Sequence, residues 1–106
     1  MGDKSFFKPI GTEGIYRLRF KIVTRKGYII DFLIQLEMFI VEEWKAIVRY
    51  DNSHGFPHRD VISPDKTIEK KELRLPTLEQ AVEFAEQDLT DRFEWYIEKY
   101  QQKVDK

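Results

Sequence analysis

The only two histidines of this 106-residue chain stand four apart in the run Tyr50-Asp51-Asn52-Ser53-His54-Gly55-Phe56-Pro57-His58-Arg59-Asp60. The same stretch supplies two aspartates, a guanidinium and a serine hydroxyl. Gly55 and Pro57 break any regular helix here, so His54 and His58 are not ligands one helical turn apart. They belong to a loop leaving a strand, where a rigid framework can hold reactive groups.

Three uses of this cluster are open. Two imidazoles that titrate near neutrality can share the work of base and acid. In that reading His54 and His58 are catalytic, Asp51 or Asp60 orients an imidazole, and Arg59 contacts phosphate. That set can cleave RNA through its own 2′-hydroxyl. A second use is a metal site of His54, His58 and Asp51 or Asp60, suited to a borderline ion such as Zn²⁺. The spacing matches no strong ligand motif, so the expectation includes no metal and no cofactor. The third use is structural: Asp51, Asn52 and the histidines hydrogen-bond the backbone and hold a complicated turn.

The elements that must position this run show clear periodicity. Tyr16, Leu18, Phe20 and Ile22 alternate with Arg17, Arg19 and Lys21, a strand with one buried and one wet face. Arg25-Lys26-Gly27 reads as a three-residue hairpin loop with glycine at the left-handed position. That loop sets Ile22 opposite Ile30, Phe20 opposite Phe32 and, on the wet face, Lys21 opposite Asp31. The second strand turns Tyr28, Ile30, Phe32, Ile34, Leu36, Met38 and Ile40 inward. The third does the same with Trp44, Ala46, Val48 and Tyr50. Ser63-Pro64-Asp65-Lys66 is a turn between short strands around residues 60–62 and 67–71.

Thr77 and Gln80 form a capping box, and Pro76 precedes them, so a helix starts at this point and runs to about Gln102. Leu78, Ala81, Val82, Ala85, Leu89, Phe93, Tyr96, Ile97, Tyr100 and Val104 make its apolar stripe. Phe84 and Trp95 share a line well off that stripe and are the expected interface of a homo-oligomer. Residues 1–12 show no period and read as an irregular N-terminal arm. Residues 13–106 are then a single α+β domain, an antiparallel meander of four to five strands covered by one long C-terminal helix.

Composition narrows the classes of function. With 42% hydrophobic and 14% aromatic residues the chain can bury its own core. It has no cysteine, which excludes disulfides, thiolate metal sites and a cysteine nucleophile. The most apolar stretch is interrupted by Asp31, Gln35 and Glu37, so no membrane association is expected, and the composition is that of a cytoplasmic protein. Net charge is −1, which argues against a strong nonspecific grip on nucleic acid. It divides unevenly: ten cations meet seven anions in residues 1–59, and eight meet twelve in residues 60–106.

The run Trp44 to Asp51, continued by His54-Gly55-Phe56-Pro57-His58-Arg59-Asp60, resembles an uncharacterised family of short prokaryotic proteins, as does the helix segment Ala81 to Leu89. More distantly, Tyr50-Asp51-Asn52 with the following His-Gly and His resembles TumE-type toxins of toxin–antitoxin modules. That resemblance implies action on RNA or another growth-inhibiting activity, and a cognate antitoxin as partner. It would carry over Tyr50, Asp51, His54 and His58, and no others; Arg59 and Tyr50 are the expected substrate contacts. The expectation is therefore a toxin-like protein acting on RNA by histidine acid–base chemistry. The alternative is a non-enzymatic homodimeric interaction protein whose histidine loop is structural.

Overall fold

The computed structural model describes residues 2–104; Met1, Asp105 and Lys106, which the expected arm and domain bounds included, lie outside the described residues. Six strands form one antiparallel sheet in chain order: β1 (Gly2–Pro9), β2 (Tyr16–Arg25), β3 (Tyr28–Ile40), β4 (Glu43–Asp51), β5 (His58–Ile62) and β6 (Ile68–Glu72). Helix α1 (Leu78–Val104) crosses one face, packing chiefly on β3 and β4. At 1.5 Å per residue it spans about 40 Å, close to the long dimension of the molecule. The fold is α+β as expected, with more strands than the four to five anticipated.

The extra strand is β1. Its residues were expected to be irregular because no alternation marks them, and the reason is now plain. Every residue of β1 is exposed, so no buried face imposes a period. What holds it is non-local. Its backbone pairs with β2 from Gly2↔Thr24 to Pro9↔Arg17, and the Phe6 ring stacks on Phe20 with centroids 4.6 Å apart.

The core lies between α1 and the sheet. Leu18, Phe20, Phe32, Ile34, Leu36, Val48 and Leu89 are buried there, with Tyr16, Ile22 and Phe93 packed around them. Helix entry follows the capping box: the Gln80 amide donates to Thr77 Oγ1 at 3.1 Å. The helix leaves ideal geometry once, at Arg92.

Two β-bulges correct the expected registers. The β2–β3 turn is two residues long, Lys26-Gly27, and pairs Thr24 with Ile29. Alone, it would set inward residues against outward ones. One extra residue, Ile30, is then inserted, and the ladder continues as Ile22↔Phe32 and Phe20↔Ile34. Tyr28 and Ile30 therefore lie exposed rather than inward, and Lys21 faces Leu33 instead of Asp31. A second bulge places Ile47 between Leu36↔Val48 and Glu37↔Ala46. Val48 and Tyr50 point inward as expected, whereas Trp44 and Ala46 are turned to the face away from the helix. There the Trp44 ring lies against Phe39 and beneath the Arg17 guanidinium.

Candidate functional site

Strand alternation sorts the run Tyr50–Asp60 onto both sides of the sheet. The pairs Asp51↔His58 and Arg49↔Asp60 face away from the helix, and Tyr50↔Arg59 faces toward it. Between the strands the chain turns at Asn52–Gly55, where the Gly55 amide donates to the Asn52 carbonyl at 3.1 Å and glycine meets a φ of +86°. Asn52 ties this turn to the bulge in β3: its side chain accepts from the Phe32 amide at 3.0 Å and donates to the Ile30 carbonyl at 3.1 Å.

On the open face His58, Asp51, Asp60 and His54 come together. His58 is 1% exposed. Its Nε2 lies 2.8 Å from Asp51 Oδ1 and 3.7 Å from Asp60 Oδ2, and its Nδ1 lies 3.3 Å from the Phe56 carbonyl. The Asp51 contact is close but out of line, so Nε2 makes no well-directed hydrogen bond. Asp51 also accepts from the Ser53 amide and hydroxyl, and Asp60 pairs with Lys70 at 3.0 Å. His54 is exposed, its ring centroid 5.3 Å from that of His58. The two imidazoles are thus neighbours with different access: solvent reaches His54, while His58 is enclosed by protein oxygens. His58 belongs to β5 and to the buried framework, not to a pliable loop.

Beside this cluster a cleft of about 240 Å³ opens between β2, β3 and the end of β4. Lys21, Asp31, Asp51 and Ser53 line it. The cleft adjoins the cluster through Asp51 and through Ser53, the chain neighbour of His54. Among the described residues no three His, Asp or Glu side chains converge in a way that could hold a metal ion.

Tyr50 and Arg59 sit on the other side, under the helix. Tyr50 donates to Asp88 at 2.7 Å, Tyr96 donates to the same carboxylate, and Arg59 donates to the Tyr96 hydroxyl at 3.3 Å. Burial, reinforced by these bonds to Asp88, raises both Tyr50 and Tyr96 above the ordinary phenol range. Arg59 is therefore not placed beside His54 and His58, and neither is Tyr50. Phe84 meets Tyr50 edge-on with centroids 6.2 Å apart, and Trp95 packs beside Tyr96 between Arg92 and Lys99. Each remains 46% exposed.

Gln35 and Glu37, the polar residues that interrupt the most apolar stretch, are both buried. Arg17 donates to Glu37 at 2.7 Å, Gln35 donates to the other Glu37 oxygen, and Arg49 donates to Gln35 at 2.8 Å. Phe7 and Trp44 hold the Arg17 guanidinium between their rings, 3.9 and 4.0 Å from its carbon, which shields the carboxylate below. The signal was present: two polar residues in the most apolar strand, opposite arginines. Only the β1 aromatic Phe7 shows that they are covered.

No curated protein and no solved structure matches the chain, so no relative supplies a toxin or any other activity. No helix among the described residues is long and apolar enough to cross a membrane. One family profile, that of a domain of unknown function, matches residues 1–106. It agrees with the resemblance to an uncharacterised family and leaves the TumE likeness without support. The chain belongs to the DUF7718 family, a domain of unknown function.

Proposed function

We propose that this is a cytoplasmic, toxin-like prokaryotic protein that acts on RNA, with a cognate antitoxin as its partner, and that His54 is the imidazole that meets the substrate. The observation that carries this reading is the accessible His54 ring set beside His58, whose ring is held against the buried carboxylates Asp51 and Asp60. In the reaction His54 takes the proton of the 2′-hydroxyl, the 2′-oxygen bonds to phosphorus, and the bond to the 5′-oxygen breaks. Solvent supplies the proton for the leaving oxygen. Lys21, on the wall of the adjoining cleft, takes the phosphate contact first expected of Arg59. His58, Asp51 and Asp60 position His54.

The test is cleavage of a structured and an unstructured RNA with analysis of the new ends. Cyclic 2′,3′-phosphate ends should form, and His54→Gln should slow their formation by about 100-fold or more with the fold intact. An unchanged rate in His54→Gln, or no cyclic ends from the wild type, would overturn the reading.

A second reading rests on a different observation, the 46% exposure of both Phe84 and Trp95 on one helix line. In it the protein is a non-enzymatic homodimer that meets its copy through these two rings, and His58 is a structural residue. Sedimentation of the wild type against a Phe84→Ser, Trp95→Ser double variant decides it. A wild type that is monomeric at high concentration ends it.

A further inference from the structure

Strand β4 is longer than its neighbour. Val48 is its last residue with a partner in β5, at Val61, so Glu43–Ile47 run on with one edge open. The β5–β6 turn faces this open edge, and the notch between them is a cleft of about 300 Å³. Lys45, Arg49, Lys66 and Ser63 line it over an apolar floor that includes Ile62 and Ile68. No carboxylate is part of the lining. Glu43 stands at the rim, paired with Lys45 at 2.9 Å, and both are well exposed.

Apart from Lys45, which Glu43 pairs, the charged and hydroxyl groups of the notch keep unused capacity toward an anion. Arg49 spends its Nε on Gln35 and forms no ion pair among the described residues. The Ser63 hydroxyl accepts from Lys103 at 3.0 Å, which leaves its own proton free to donate. Lys66 also forms no ion pair among those residues, and its backbone is unusual. The turn closes with the Lys66 amide on the Ser63 carbonyl at 2.8 Å and the Ser63 amide on the Thr67 carbonyl at 2.9 Å. That is a type I turn ending in a left-handed residue, a place where glycine is the default. Here a lysine occupies it at φ +71°. Local strain of this kind persists where something outweighs it. The β4 bulge turns Lys45 to the face opposite Arg49, so the two cations reach the open edge from different sides of the strand.

We propose that this notch binds a phosphoryl group, held by Arg49, Lys66 and the Ser63 hydroxyl with Lys45 at the rim. A tetrahedral phosphate oxyanion matches a guanidinium, two ammonium groups and one hydroxyl donor in a small open cleft. The source is either free phosphate or the diester of a single-stranded nucleic acid. The site does not depend on RNA cleavage.

Amide chemical shifts read it directly, with two probes added separately to the wild-type protein: inorganic phosphate, and a short single-stranded DNA that lacks the 2′-hydroxyl and so cannot be cleaved. Saturable shifts at residues 63–66 and Arg49 with phosphate establish the site for a free phosphoryl group. The same shifts with the DNA alone establish it for a diester. Arg49→Gln and Lys66→Gly should each weaken binding by about tenfold, the scale of one charge-assisted contact. Lys66→Gly should at the same time raise the melting temperature, because glycine relieves the left-handed turn. Absence of saturable shifts with either probe overturns the proposal, as does a Lys66→Gly protein that is more stable yet binds as before.

Discussion

Replacing each histidine by alanine separates framework from chemistry. His58 is 1% exposed, and its ring lies against two carboxylates that are themselves buried, 2.8 Å from Asp51 and 3.7 Å from Asp60. His58→Ala removes the packed ring and leaves Asp51 and Asp60 facing each other's charge across the space. Truncating a fully buried ring to alanine typically costs about 3–5 kcal/mol. The lower end applies here, because Asp60 keeps Lys70 at 3.0 Å and Asp51 keeps the Ser53 amide and hydroxyl. We expect about 3 kcal/mol. At about 4 °C or more per kcal/mol for a domain of this size, the melting temperature should fall by at least about 12 °C. His54→Ala, at an exposed position, should stay within about 0.5 kcal/mol of wild type. Urea denaturation followed by circular dichroism measures both. A His58→Ala cost below about 1 kcal/mol would refute the claim that this ring is part of the framework, and with it the assignment of His54 as the accessible member.

The core makes a second prediction: Phe32→Ala should cost about 3–5 kcal/mol and Leu89→Ala about 2–5 kcal/mol in the same assay, since both side chains are buried. Alkaline titration should expose the Tyr50–Asp88–Tyr96 cluster. A phenol whose folded value is raised contributes stability that is intact below the unfolded value near ~10 and is lost as pH rises toward the folded one. Tyr50→Phe should therefore flatten the fall of stability above pH ~10, and an unchanged fall counts against the cluster. The β3–β4 turn holds Val41 at φ +47° and Glu42 at φ +65°, both costly for residues with a Cβ. Val41→Asn with Glu42→Gly, the natural residues of such a turn, should stabilise by about 1–2 kcal/mol, and an unmoved denaturation midpoint would contradict that backbone.

The features legible from sequence are those whose causes lie within a few residues. Thr77 and Gln80 start the helix because their hydrogen bond closes over three residues. Tyr16 to Ile22 form a strand because a buried face alternates along it. Ser63 to Lys66 turn because proline sets one dihedral. The chemical candidates could be found because both histidines lie in one run. Strand alternation could also have separated Arg59 from His58, since adjacent strand residues face opposite ways. That step required β5 to begin at His58 rather than Asp60.

Tertiary structure decided what depends on partners distant in the chain. Gly2–Pro9 is a strand only because β2 offers it an edge and Phe20 a ring to stack on. Asn52 stabilises the Ile30 bulge from the β4–β5 turn, so the register of β2 against β3 was not written in their hairpin loop alone. Ile47 reverses the faces of Trp44 and Ala46 through a mismatch with β3. Gln35 and Glu37 are buried because Arg17, clasped by Phe7 and Trp44, closes over them. Sequence periodicity reports which face a residue prefers, whereas bulges and covering side chains from other strands determine which face it occupies and whether water reaches it.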